Sequence, residues 1–196
     1  MHKLIFVTGK VGSGKDTLVR IFKDLYSFEP FFYGDNLKTV LLYAGWNGKK
    51  DLKGRKLLQQ VGRAFRNYDE DFWINWLFDD ICMYIDSMYN DSYIDYFSNN
   101  DIRIIIGDVR HINEITRMKK IFTEKYGPTK FITIKIVGPN RDPNREMDKE
   151  TTEDISETEM DQYKDIDYTI INNETINIKD LHSMAKIIYE KEFQDS

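Results

Sequence analysis

The apolar run Leu4-Ile5-Phe6-Val7 ends at Thr8 in the stretch Gly9-Lys10-Val11-Gly12-Ser13-Gly14-Lys15-Asp16-Thr17, where a helical pattern begins. A strand that enters a helix through a glycine-rich turn is the context of a phosphate-binding loop. Gly9, Gly12 and Gly14 allow backbone conformations that aim successive N–H groups, those of Val11 and Ser13 among them, at phosphate oxygens. Lys15 reaches the outer phosphates from the first helical turn, and the positive end of that helix faces the same negative ligand. The stretch departs from G-x-x-x-x-G-K-[ST] at its last position, where Asp16 replaces the hydroxyl that meets Mg²⁺. A carboxylate serves the same ion, directly or through water, because Mg²⁺ prefers oxygen and keeps several waters. Thr17 is a second candidate ligand. The bland alternative is a glycine turn with no ligand.

With 196 residues the chain suits a single domain, 1–196, with a sizeable core. A net charge of -5 and a pI near 5.3 argue against a nucleic-acid partner, which calls for a basic face. Cys82 is the one cysteine and falls in a helical pattern, so a disulfide within the chain is excluded and a reducing compartment fits. It reads as a core residue. No apolar stretch approaches ~18 residues and the N-terminal run is too short for a secretory signal, so a soluble cytoplasmic protein with no membrane partner is expected. His2, His111 and His182 lack metal-ligand spacing, which argues against zinc.

Strand-like runs at 3–7, 101–106, 131–137 and 168–171 alternate with helical periodicity, and 31–33 adds a short candidate. Near-continuous apolar strands between helices imply an α/β fold: a three-layer parallel sheet with helices on both faces. The first helix covers about 15–25. Between it and the 101–106 strand lies a helical region, 34–90, with room for a second substrate. There Asp35 is a candidate N-cap for a helix ending near Gly45, a second helix runs over about 53–68, and a third over 70–88. Phe72, Trp73, Trp76, Leu77, Ile81, Tyr84, Ile85 and Met88 form one apolar face of that third helix, read as core with base stacking as the alternative. Segment 138–157 holds Pro139, Pro143 and many charges, and reads as a solvated loop or a lid over phosphates. The last helix covers 178–193.

Ligands bind beyond the carboxyl ends of the strands in an open α/β sheet, so Asp108 and Arg110, which follow the 101–106 strand, should face the same crevice as the loop. Asp108 there can join the Mg²⁺ shell or accept from a sugar hydroxyl, and Arg110 can grip a phosphate with its planar fork. Asn113 and Glu114 begin the next helix and serve either the site or its capping. Gln59, Arg63 and Arg66 lie three or four residues apart on one helix side, a set that suits a phosphate and a base edge or, alternatively, a solvated face. Arg141 and Arg145 lie four apart in the lid segment, where arginines can neutralise a transferring phosphoryl group.

The loop ending Gly-Ser-Gly-Lys-Asp-Thr, the Leu-Leu-Gln-Gln-Val-Gly…Arg…Asp-Phe-Trp block at 57–73, Asp-Val-Arg-x-x-Asn-Glu at 108–114, and Ile-Ser-Glu at 155–157 followed by Asp-Tyr-Thr-Ile-Ile-Asn-Asn occur in that order. Together they resemble bacteriophage-type deoxynucleoside monophosphate kinases over nearly the whole chain. The resemblance implies a P-loop NMP-kinase-like fold with a helical acceptor-binding region, ATP and Mg²⁺, transfer of the γ-phosphoryl group to a deoxynucleoside monophosphate, and often a homodimer. It implies that Lys15 and Asp16 handle ATP and its metal, and that Arg66, Asp108 and Arg110 serve the acceptor. It also implies that Asn172 and Asn173 lie near the adenine. Asp35, Lys38, Gln59, Arg63, Trp73 and Glu114 complete the expected acceptor site. Kinases of phosphomevalonate share the Gly-Lys-Asp loop and the Asp-x-Arg block, and the family often has a histidine where this chain has Asp154.

Phosphoryl transfer needs positioning and charge stabilisation rather than a nucleophilic side chain, in keeping with the lack of an activated serine, cysteine or histidine. A switch GTPase would carry Asn-Lys-x-Asp and Asp-x-x-Gly, yet Asp108 is followed by Val109, Arg110 and His111. A kinase of another small phosphorylated acceptor, phosphomevalonate-like or dephospho-CoA-like, and a non-catalytic nucleotide-binding module remain as alternatives.

Overall fold

Four consecutive side chains at the start of the chain, Leu4 to Val7, are all fully buried, because the strand that carries them lies mid-sheet with both faces covered. The computed structural model describes residues 1–90, 101–138, 153–172 and 178–194, without the side chains of 89 and 90. Its strands are β1 (His2–Thr8), β2 (Glu29–Phe31), β3 (Arg103–Val109), β4 (Thr129–Val137) and β5 (Tyr168–Ile171). They form one parallel sheet in the order β2-β3-β1-β4-β5. Its helices are α1 (Lys15–Tyr26), α2 (Tyr33–Tyr43), α3 (Leu52–Tyr68), α4 (Phe72–Asn90), α5 (Ile112–Tyr126), the single turn α6 (Ile155–Thr158) and α7 (Ile178–Phe193), with a 3₁₀ turn at Glu159–Asp161. None of the described helices is long and apolar enough to cross a membrane.

The alternation of side chains along β1 divides the core. Ile5 and Val7 join Ile105, Leu18 and Phe22 of α1, and Leu181 and Ile188 of α7 on one face. Leu4 and Phe6 join Ile104 and Ile106, Trp73 and Leu77 of α4, and Ile115 and Phe122 of α5 on the other. The helix after β1 thus lies on one face and the helix after β3 on the opposite face. The turns leaving these two neighbouring strands diverge, which opens a crevice at their carboxyl ends.

The β1–β3 ladder slips at that crevice. Phe6 pairs with Ile106 but Thr8 pairs with Val109, so Gly107 and Asp108 together face Val7. The Thr8 hydroxyl locks the slip by donating to the Val109 carbonyl at 2.9 Å. A Cβ on Gly107 would stand 2.3 Å from the Phe32 ring, so only glycine fits there.

Two expected elements are corrected. The short strand lies at Glu29–Phe31, and Tyr33 opens α2 instead of closing the strand. Asp35 sits inside the first turn of α2 rather than capping it; Phe32 is the N-cap and offers no side-chain bond. The capping is supplied from afar: Asp108 Oδ1 accepts from the Tyr33 N–H at 2.8 Å and Oδ2 from the Gly34 N–H at 2.9 Å. Helix α3 is capped locally, with Asp51 Oδ1 accepting from the Gly54 N–H at 2.8 Å. Cys82 is buried on α4, as expected.

Candidate functional site

Gly9, Gly12 and Gly14 all take positive φ, at 143°, 78° and 106°. Two of them are also needed for close packing. A Cβ on Gly9 would meet the Ile136 carbonyl at 2.2 Å, and one on Gly14 would meet Asn172 Nδ2 at 2.5 Å. Val11, Gly12, Gly14, Lys15, Asp16 and Thr17 line a cavity of about 710 Å³, within the usual range of roughly 300–1,000 Å³ for ligand pockets. Lys15 is buried, and its Nζ donates to the carbonyls of Gly9 at 2.5 Å and Lys10 at 2.8 Å. Burial, and then the neighbouring Arg110 cation, bring its pKa down from 10.5 to about 8, while Glu157, Asp16 and Asp108 pull the other way.

Asn172 and Ser13 sit behind the loop rather than on the cavity wall. Asn172 is 3 % exposed, and its Nδ2 donates to the Ser13 carbonyl at 2.6 Å. Its backbone N–H donates to the Val137 carbonyl at 2.7 Å, so the end of β5 fastens the loop from below. Asn172→Ala leaves the buried Ser13 carbonyl without this donor and opens space under Gly14. The expected cost is about 1–3 kcal/mol of stability, read from denaturant unfolding; an unchanged midpoint would show that the loop holds itself. Asn173, Arg141 and Arg145 lie outside the described residues, as does the 139–152 part of the lid segment.

The facing wall is helical. Asp35, Lys38, Gln59, Arg63, Arg66 and Trp73, the residues expected on the acceptor side, all line it. Arg55 and Lys50 line it too and were missed, although Arg55 stands four residues before Gln59 on the same helix side. Lys38 Nζ pairs with Asp35 Oδ1 at 2.5 Å. Trp73 is 2 % exposed, its indole N–H donates to the Gly62 carbonyl at 3.1 Å, and its ring packs edge-on against Phe65. Trp73, Leu77, Ile81 and Ile85 of the α4 stripe are core, Phe72, Trp76 and Tyr84 pack half-buried against them, Met88 is exposed, and Trp73 stands at the border with the cavity.

Asp108, Arg110 and Glu114 complete the cavity floor. Burial raises the Asp108 carboxyl from 3.8 to about 6, against the backbone donors of Gly34 and Tyr33 and the charge of Arg110. Its role in the structure is to hold the start of α2. Glu114 is 1 % exposed and acts as a hub. Oε2 accepts from the backbone N–H of Arg110 at 2.7 Å and of His111 at 3.1 Å, while Oε1 pairs with Arg66 Nη2 at 3.2 Å. One carboxylate thus fixes the turn that presents Arg110 and, through Arg66, its distance from α3.

Residues 154–161 cross the cavity mouth from Arg63 to the loop. Asp154 caps α6 by accepting from the Ser156 N–H at 2.9 Å and pairs with Arg63. Arg110 Nη1 donates to the Ser156 carbonyl at 3.1 Å and pairs with Glu157. Glu159 takes His111 Nδ1 at 2.7 Å and the Ile112 N–H at 2.8 Å. Asp161 pairs with Lys10 at 3.2 Å and Lys135 at 2.9 Å. The Ser-Glu motif was visible in the sequence, but not the partners of its acids.

Among the described residues no group of three or more His, Cys, Asp or Glu side chains is placed to hold a metal ion. Asp16 and Thr17, adjacent on the cavity wall, are oxygen donors that suit a magnesium ion arriving with phosphates and keeping its water.

Neither a family model nor a curated protein matches this chain. Among solved structures, an unliganded sugar kinase from a Janibacter species matches with a TM-score of 0.50 and 16% sequence identity, covering 100% of this chain and 98% of that one. The fold is shared with a kinase. At that identity the likeness speaks for the α/β architecture, a five-stranded parallel sheet flanked by helices.

Proposed function

We propose that this chain is an ATP-dependent kinase that transfers the γ-phosphoryl group to a deoxynucleoside monophosphate, giving the diphosphate and ADP. The observation that carries the reading is one cavity lined at once by the glycine loop with Lys15 and by an arginine-bearing wall, Arg63, Arg66 and Arg110. Two phosphate-binding groups facing each other are what an in-line transfer between two phosphates needs. The positive-φ glycines and the start of α1 suit the donor's phosphates, with Lys15 on the outer ones. Arg110 and Arg66 suit the acceptor phosphate, and the apolar part of the wall, Leu37, Leu58 and Trp73, suits a base. Magnesium, held through Asp16 and Thr17, would neutralise charge on the transferring group.

The test is to mix the protein with ATP, Mg²⁺ and a panel of deoxy- and ribonucleoside monophosphates, with phosphomevalonate included, and to measure ADP. At least one deoxynucleoside monophosphate is expected to stimulate ADP release well above background. The reading fails if none does, and stimulation by phosphomevalonate alone would move the acceptor to that class.

A further inference from the structure

Three of the cavity's arginines, Arg63, Arg66 and Arg110, already carry anions, and these come from within the chain. Asp154, Glu157, Glu159 and Asp161 lie on one stretch of eight residues, and each meets a cationic or N–H group on a different part of the site. The Asp154 and Glu159 contacts fasten the stretch to α3 and to the start of α5, and Asp161 fastens it to the loop and β4. Glu157 differs from these three. Its side chain is 9 % exposed, its carboxylate pairs with Arg110, and its charge also acts on Lys15. It therefore feels both Lys15 and Arg110, and a phosphate oxygen in the cavity that both line would feel the same two charges.

We propose that Glu157 is an internal counter-anion that competes with substrate phosphate for Arg110, so that it sets acceptor affinity. The inference rests on the kinase reading for the identity of the acceptor, but the competition itself concerns any phosphate anion. Two anions beside one guanidinium in a confined cavity repel each other, so a phosphate takes Arg110 in competition with the Glu157 carboxylate already on Nη1. A carboxylate of charge −1 yields to a dianionic phosphate more readily than to another carboxylate or a sulfonate. The pair thus filters ligands by charge as well as occupying the arginine. The α6 turn can release Glu157 without unfastening the stretch, since Asp154, Glu159 and Asp161 hold it from both sides.

The experiment is a double-mutant cycle on Glu157→Gln and Arg110→Ala, read as the dissociation constant for inorganic pyrophosphate and for the monophosphate that the wild-type protein phosphorylates. Glu157→Gln keeps shape but removes charge, and should tighten binding about fivefold or more in the parent protein, as losing one charge-assisted competitor implies. In the Arg110→Ala background the same change should tighten binding much less, leaving only the part that comes from the charge of Glu157 on Lys15. Glu157→Asp, one methylene shorter, should shift binding in the same direction by less, and serves as the measurement if Glu157→Gln does not fold. Unchanged or weaker binding in the Glu157 variant overturns the proposal, and so does equal tightening with and without Arg110. If no monophosphate is a substrate the kinase reading falls, yet pyrophosphate still decides whether Glu157 competes.

Discussion

Lys15→Ala is expected to lower ATP-dependent turnover by about 100-fold or more while leaving a folded protein. Its ammonium is the loop cation that lines the cavity, and removing one such preorganised electrostatic group typically costs roughly 10²–10³ in turnover. The fold should survive, because a lysine held at about 8 is disfavoured as a cation in the folded chain at neutral pH, so its charge is kept at a cost in stability. The same shift gives a pH signature with a definite sign. Below about 8 the free protein carries the ammonium and meets the phosphates with it; above that value binding must first take up a proton. ATP affinity of the wild-type protein should therefore weaken as pH rises through 8, and the Lys15→Ala variant should lose that dependence. ADP release and a series of ATP titrations between neutral and alkaline pH check both. Wild-type turnover in the variant would remove Lys15 from the site.

Arg110→Lys is expected to raise the acceptor KM about tenfold or more while ATP affinity stays nearly constant. Lysine keeps the charge but loses the planar fork, and a lost charge-assisted bond of roughly 1.5–3 kcal/mol corresponds to at least that factor. Arg110 stands on the turn held by Glu114, whereas the loop is fastened separately by Asn172, so the two binding sites should respond independently. Steady-state kinetics with each substrate varied in turn measures the split. Equal loss for both substrates would mean that Arg110 supports the whole cavity rather than one phosphate.

The loop was legible because its parts are contiguous: four buried apolar residues, three glycines and Lys15 lie within a single short stretch. The last helix and the last strand were legible too, their periodicity being undisturbed by distant partners. The start of α2 was not. Asp35 has the chemistry of an N-cap, but the first N–H groups are taken by Asp108, which is far away in the chain and became an option only once β2 and β3 paired. Glu114 reads in the sequence as a residue of the site or of helix capping; in the structure one oxygen caps the turn before α5 and the other pairs with Arg66. Arg63 and Arg66 line the cavity, but the pattern that put them on one helix side gave no sign of the carboxylates that each meets, Asp154 and Glu114. Local pattern reveals which side chains share a face; it does not reveal which charges will meet across the fold.

The ladder slip between β1 and β3 makes spacing, as well as residue identity, decide which way Asp108 points. Side chains alternate along a strand, so removing Gly107 would restore even pairing with Asp108 alone opposite Val7, while Val109 would stay opposite Thr8 and keep its face. Asp108 would leave the start of α2 and enter the place of Gly107, against Phe32 and Val19, with every other cavity-lining residue still present. A sequence comparison that scores only matched letters would pass such a chain as intact. Counting the residues between Ile106 and Val109 would expose it, and that interval is the simplest mark by which to judge whether another protein has inherited this cavity or only its vocabulary.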